Sequence, residues 1–244
     1  MAEVILALDL PGEDARQLLD RIPEVRWVKV GSILFASEGP ALVRDLVRRG
    51  LRVFLDLKWH DIPNTVAGAV ASARDLGVTM ATVHALGGRA MMEAAARTAG
   101  GELGLVGVTV LTSHTPEGYG RAVGRPGVLL MEEVGRLACE ALGAGLRGIV
   151  CSPLEVAQVR AAAGPSAWLV VPGIRRPDDP AGDQIRTATP AQAVAAGATH
   201  LVVGRPVLEA ADPRAAFLEL TRAAALGGRA GGRDGGEGTA SLIS

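Results

Sequence analysis

Val53 to Ala85, VFLDLKWHDIPNTVAGAVASARDLGVTMATVHA, is the stretch that decides the fold. It opens on a mainly apolar run, Val53 to Lys58, and closes on another, Ala81 to Ala85. Between them Thr65 to Leu76 carries apolar residues at helical spacing, and Gly77 stands where a helix can stop. Strand, helix, strand is the alternation of a parallel sheet with crossover helices.

Outward from this unit the pattern repeats. Apolar runs also cover Val4 to Leu10, Trp27 to Gly31, Leu105 to Leu111, Gly148 to Cys151, Trp168 to Val171 and His200 to Val203. Helical spacing covers Asp14 to Ile22, Gly39 to Arg49, Ala90 to Ala99, Glu132 to Gly145, Leu154 to Ala162, Ala191 to Ala196 and Pro213 to Ala225. Most of the runs are nearly continuous in apolar residues, as strands are when helices cover one face and a filled barrel interior the other. Eight in series, in a chain of 244 residues, predict closure into an α/β fold of the (β/α)8 TIM-barrel type, a single domain over residues 1–226. The alternative is an open doubly wound sheet, but no Gly-x-Gly-x-x-Gly follows the first strand. From Gly227 the chain reads GGRAGGRDGGEGTASLIS, so residues 227–244 are predicted to be a disordered, glycine-rich tail.

A hydrophobic share of 48% fills a core, and a net charge of -1 gives no reason to expect a nucleic-acid partner or an anionic membrane. Cys139 and Cys151 lack metal-ligand spacing, so reduced thiols in a cytoplasmic protein are expected. The apolar stretch in MAEVILALDLPGED is short, has no basic leader and reads as a strand. No run approaches the roughly 20 apolar residues of a membrane-spanning helix.

In such a barrel the C-terminal ends of the strands carry the chemistry. Asp9 ends the first run, Lys29 lies near the end of the second, Asp56 and Lys58 end the third, and Asp61 follows in the loop. Period two puts Asp56 and Lys58 on one face, at the barrel mouth, with Asp61 able to join them. Any single pair reads equally well as a buried ion pair. Four strand-end charges converging make a functional candidate, because burying ions costs several kcal/mol each before pairing offsets it.

DLKWHDIPNTV, Asp56 to Val66, closely resembles the Asp-x-Lys-x-x-Asp segment of bacterial orotidine 5′-monophosphate decarboxylases. LALDL around Asp9, VKVG around Lys29, LTS from Leu111 to Ser113, PGIR from Pro172 to Arg175, DQIRTATPAQA containing Gln184, and VVGRPV around Arg205 resemble that family in order and spacing. The resemblance spans Val4 to about Leu220. It implies conversion of orotidine 5′-monophosphate to uridine 5′-monophosphate, the final step of de novo uridine monophosphate synthesis in the pyrimidine pathway, without cofactor or metal. Lys58 becomes the proton donor, within a network of Asp56, Asp61 and Lys29; Asp9, Lys29, Asp56 and Thr65 contact substrate. An ammonium suits the task, since it stabilises developing charge and then delivers a proton. The resemblance further implies a homodimer with shared active sites, Asp61 reaching into the partner.

The phosphate end reads separately. Gly204 and Arg205 follow the eighth strand, where barrels commonly bind phosphate, although a surface arginine after a glycine turn is an equally plain reading. The long polar segment between Pro172 and Pro190 is, by resemblance, a lid, with Gln184 reaching the phosphate and Arg175 at its base. Thr112 and Ser113, read as ending the fifth strand, would contact the nucleotide, though hydroxyls there are often turn residues. His60, His84, His114 and His200 lack ligand spacing; His60 is expected to pack beside the mouth. Trp27, Trp59 and Trp168 read as core or interface. Two rivals stand: a magnesium-dependent keto-sugar phosphate decarboxylase or aldolase of the same barrel group, against which Lys29 argues because it would repel a divalent cation, and a non-catalytic nucleotide-binding barrel.

Overall fold

The computed structural model describes residues 2–176 and 186–230. Eight parallel strands close in sequence order into a barrel: β1 (Glu3–Ala7), β2 (Trp27–Gly31), β3 (Arg52–Trp59), β4 (Met80–His84), β5 (Gly104–Val108), β6 (Gly148–Val150), β7 (Trp168–Val171) and β8 (His200–Val203). The helices are α1 (Gly12–Arg21), α2 (Ser32–Arg48), α3 (Pro63–Asp75), α4 (Arg89–Ala99), α5 (Pro116–Ala122), α6 (Leu130–Gly143), α7 (Val156–Ala163), α8 (Pro190–Ala195), α9 (Arg205–Leu208) and α10 (Pro213–Ala230). The predicted single barrel is what is observed.

Local chemistry sets the ends. Proline opens α3, α5, α8 and α10, where its missing N–H costs nothing. Thr189 and Gln192 form a reciprocal cap on α8. α2 starts earlier than Gly39, its expected start, because the chain is already helical from Ser32; Gly39, at φ +65°, and Pro40 instead make a kink inside it. α10 runs on to Ala230, past the predicted boundary at residue 226. Gly227 is buried there, and a Cβ on it would lie 2.5 Å from the Ala191 carbonyl oxygen, so glycine is what lets α10 lie against α8. Of the predicted tail, residues 231–244 lie outside the described residues.

Two cores result. The larger lies between strands and helices. The smaller fills the barrel with Ile5, Ala7, Trp27, Phe54, Met80, Val106, Val170 and Val202. Trp168 packs at its edge over Gly104 and Gly148, where a Cβ would come within 2.3 Å of the indole and 2.1 Å of the Trp168 carbonyl oxygen, respectively. His200 meets both Trp27 and Trp168, and burial pushes its imidazole down to about 4. Beyond this apolar plug, toward the strands' C-terminal ends, Lys29 and Asp56 line a cavity.

Candidate active site

Register places the charges. Ala7 pairs with Lys29 and Lys29 with Phe54, while Asp56 pairs with Gly31 two residues further on, so the long Lys29 side chain starts one level below Asp56 and reaches up to it. Asp9 lies two residues beyond β1, which ends at Ala7 and not at Leu10. Lys29 Nζ donates to Asp9 Oδ1 at 3.0 Å and lies 3.7 Å from Asp56 Oδ2. Lys58 Nζ donates to both Asp56 oxygens, at 2.9 and 3.0 Å. A Cβ on Gly31 would lie 3.0 Å from Lys29 Nζ and 3.3 Å from Asp9 Oδ1, so glycine there leaves room for the pair. The chain of charges is therefore Asp9, Lys29, Asp56, Lys58, with Lys29 and Asp56 almost buried and the Lys58 side chain 39% exposed toward the cavity.

The third strand reaches this arrangement by a detour. Leu55 pairs with Ala81 but Trp59 pairs with Val83, so four steps on β3 match two on β4. The extra residues form a bulge holding Lys58 at φ +51°, the only non-glycine residue with positive φ among those described. Asp56 and Lys58 do share the mouth-facing side, as period two predicts, but through an irregular backbone.

These groups line a cavity of about 900 Å³, whose wall also includes Thr112, Arg175, Gly204 and Arg205. Arg175, four residues beyond β7, is 8% exposed and donates from Nη1 to its own neighbour, the Ile174 carbonyl, at 2.9 Å. Gly204 precedes α9, which Arg205 opens. Thr112 does not end a strand: β5 stops at Val108, and Thr112 sits in the following turn, closed by His114 N–H to Leu111 O at 3.0 Å. Ser113 is exposed and does not line the cavity. Gln184 lies outside the described residues.

Asp61 stands apart from these charges. Its carboxylate accepts the Ile62 N–H at 2.6 Å and makes no ion pair with Lys58 among the described residues, so within one chain it does not join the cluster. The carboxylate closes a short turn onto this N–H just before Pro63. Thr65, in the first turn of α3, is likewise exposed and outside the cavity wall. His60 is exposed and stacks on His84, with ring centroids 5.4 Å apart. Burial, then the charges of His60, Lys58 and His114, pushes His84 down to about 4. Its Nδ1 accepts the Leu86 N–H at 3.3 Å, so His84 adds no positive charge beside Lys58 near neutral pH.

Sequence reading missed two residues. Thr82, fully buried on β4, touches both Lys58 and Asp56. Arg186 pairs with buried Glu155 and donates to the Leu111 carbonyl at 3.0 Å, tying the segment before α8 to the turns after β5 and β6. Its position in DQIRTATP is the only sequence signal for it. Among the described residues no group of His, Cys, Asp and Glu is arranged to hold a metal ion, and no helix is long and apolar enough to cross a membrane. Both cysteines are free.

A family model described as "Orotidine 5'-phosphate decarboxylase / HUMPS family" matches residues 2–220. The chain belongs to that family. Relatives include the orotidine 5'-phosphate decarboxylase of Alkalilimnicola ehrlichii, 54% identical over 227 residues, with 91% of this chain and 95% of the relative covered. The enzyme of the same name from Halorhodospira halophila is 49% identical, covering 92% and 97%. Among solved structures, orotidine 5'-phosphate decarboxylase from Lactobacillus acidophilus superposes with a TM-score of 0.82 at 36% identity, covering 92% of this chain and 99% of that one. Family membership makes the chain a carboxy-lyase of this barrel type, as the resemblance in Asp56 to Val66 implied.

Proposed function

We propose that this protein decarboxylates orotidine 5′-monophosphate to uridine 5′-monophosphate, the final step of de novo uridine monophosphate synthesis, in the cytoplasm and without a cofactor. One observation carries the reading: the Lys58 ammonium, held by Asp56, faces a cavity whose wall also contains Gly204 and Arg205. The phosphate binds at Gly204 and Arg205 through main-chain N–H and guanidinium donors, joined by Gln184, with Arg175 at the base of that segment. The pyrimidine then lies toward Thr112 with its carboxylate near Asp56 and Lys58. Carbon dioxide leaves as the bond to the ring carbon breaks, the electron pair stays in an sp² orbital on that carbon, and Lys58 stabilises it and transfers one proton to it. Lys29 balances the two aspartates. A lysine paired with both Asp9 and Asp56 disfavours the metal-dependent rival, since its ammonium takes up the carboxylate oxygens a divalent cation needs.

The active unit is a homodimer. Ile33, in the first turn of α2, and Ile62, just before α3, are 76% and 66% exposed after β2 and β3, and large apolar side chains of that kind favour burial against a second copy. Asp61 and Thr65, outside their own chain's cavity, then act in the partner's. The test is to add orotidine 5′-monophosphate to purified, metal-free protein and follow the orotate absorbance. Turnover in the parent is expected, and Lys58→Ala should abolish it while uridine 5′-monophosphate still binds. No turnover by the parent, or a Lys58→Ala rate within about tenfold of it, overturns the assignment.

A further inference from the structure

We propose that Thr82 is a positioning residue for the decarboxylation, holding the main chain and the side chain of Lys58 at once; this rests on the reading given above. The bulge in β3 takes the Lys58 N–H out of the regular ladder to β4. A buried N–H without an acceptor is costly, and a left-handed backbone at a residue with a Cβ adds to that cost, so the conformation persists only where its surroundings over-determine it. Thr82 Oγ1 accepts that N–H at 2.8 Å. The same oxygen lies 3.1 Å from Asp56 Oδ1. An ionised carboxylate only accepts, so the hydroxyl proton points to Asp56 and the direction of every bond follows. Lys58 N–H donates to Thr82, Thr82 O–H to Asp56 Oδ1, and Asp56 in turn receives Lys58 Nζ at 2.9 Å. This is a closed ring that begins and ends on one lysine. Each bond polarises the next, and the ring fixes Lys58 at both ends.

The side chain is fully buried and lies on a different strand from the residues it orders. It is closed to solvent and does not itself line the cavity, so it acts on the ammonium through Asp56 and through the backbone of Lys58. Valine has nearly its shape without the hydroxyl, and serine keeps the hydroxyl without the methyl.

The test compares kcat and KM for orotidine 5′-monophosphate in the parent, Thr82→Val and Thr82→Ser. Thr82→Val is expected to lose about 10- to 100-fold in kcat, the scale of a reacting group displaced by roughly 1 Å, while KM stays within about threefold because no substrate contact is removed. Thr82→Ser should recover most of the loss, which a mere packing role would not give. A parental kcat in Thr82→Val, or a loss in Thr82→Ser as large as in Thr82→Val, overturns the proposal. Should Thr82→Val not fold, Thr82→Cys, with its weak donor, takes its place under the same two criteria. If the parent itself does not turn over, the decarboxylase reading fails, and crystal structures decide the positioning claim alone: Lys58 must leave its positive φ or its contact with Asp56 in the variant, and unchanged geometry overturns it.

Discussion

Glu133 offers a perturbation whose size follows from its contacts. It is 4% exposed on α6, where it accepts the Tyr119 hydroxyl at 3.0 Å, Arg125 at 3.1 Å and Arg136 at 2.7 and 3.0 Å. Arg136 above all, then the Tyr119 hydroxyl and Arg125, holds its carboxyl at about 2 against an ordinary 4.5, even though burial works the other way. At 1.36 kcal/mol per pH unit this corresponds to roughly 3 kcal/mol near pH 7, and half-exposed guanidiniums reduce it to about 2 kcal/mol. Because the folded value is the lower one, the stabilisation is complete above about pH 4.5 and is lost as the pH falls toward 2. Glu133→Gln keeps the shape and removes the charge. Urea unfolding should show the variant about 2 kcal/mol less stable at pH 7, with the gap narrowing by roughly 1 kcal/mol at pH 3.5. The network closes the excursion from β5 through α5 to α6, which carries Thr112 in its first turn, so the variant should also raise KM for the nucleotide. A gap below about 0.5 kcal/mol at pH 7, or one equally large at both pH values, would refute the charge-based account.

Three further outcomes are expected. Gly148→Ala puts a Cβ 2.1 Å from the Trp168 carbonyl and should destabilise by about 3 kcal/mol in urea unfolding, whereas Gly143→Ala, with only an ordinary 3.5 Å contact to Arg89, should stabilise by about 0.5 kcal/mol. Arg205→Ala should slow reaction of the nucleotide by about 10- to 100-fold and leave the slow reaction of orotidine, which lacks the phosphate, unchanged; equal slowing of both would remove the phosphate assignment. Mixing inactive Lys58→Ala with inactive Asp61→Ala protein should restore about a quarter of parental activity, since random exchange makes half the dimers mixed with one intact site each; no recovery after proven exchange would place Asp61 in its own chain's chemistry.

Much of the fold was legible because its signals are local. Trp27–Gly31, Trp168–Val171 and His200–Val203 match the predicted strands residue for residue. The misplaced ends share a cause: Leu8 and Val110 are buried although they follow the last residues of β1 and β5, so apolar character continues after pairing stops. α5, PEGYGRA, was unreadable as a helix because two glycines interrupt its only two turns. Gly227 looked like part of a tail because glycine signals flexibility in sequence, whereas here it allows close approach of two helices.

The charged cluster was legible for a different reason, and incompletely. Ionised residues at the ends of apolar strands stand out, so Asp9, Lys29, Asp56 and Lys58 could be picked out one by one. What joins them could not. Period two puts Asp56 and Lys58 on one side of a regular strand, yet the strand is irregular, and a bulge that absorbs two extra residues leaves side-chain parity unchanged. The correct prediction therefore gave no hint of the strain at Lys58 or of the acceptor its N–H needs. That acceptor is a threonine in MATVH, an ordinary β-former whose significance depends on the register of the neighbouring strand. A residue that acts on a distant segment through one hydroxyl has no periodicity, charge or motif of its own. It becomes visible only when the two strands are laid side by side, and the same holds for Arg186, whose partners Glu155 and Leu111 come from the loops of two other strands.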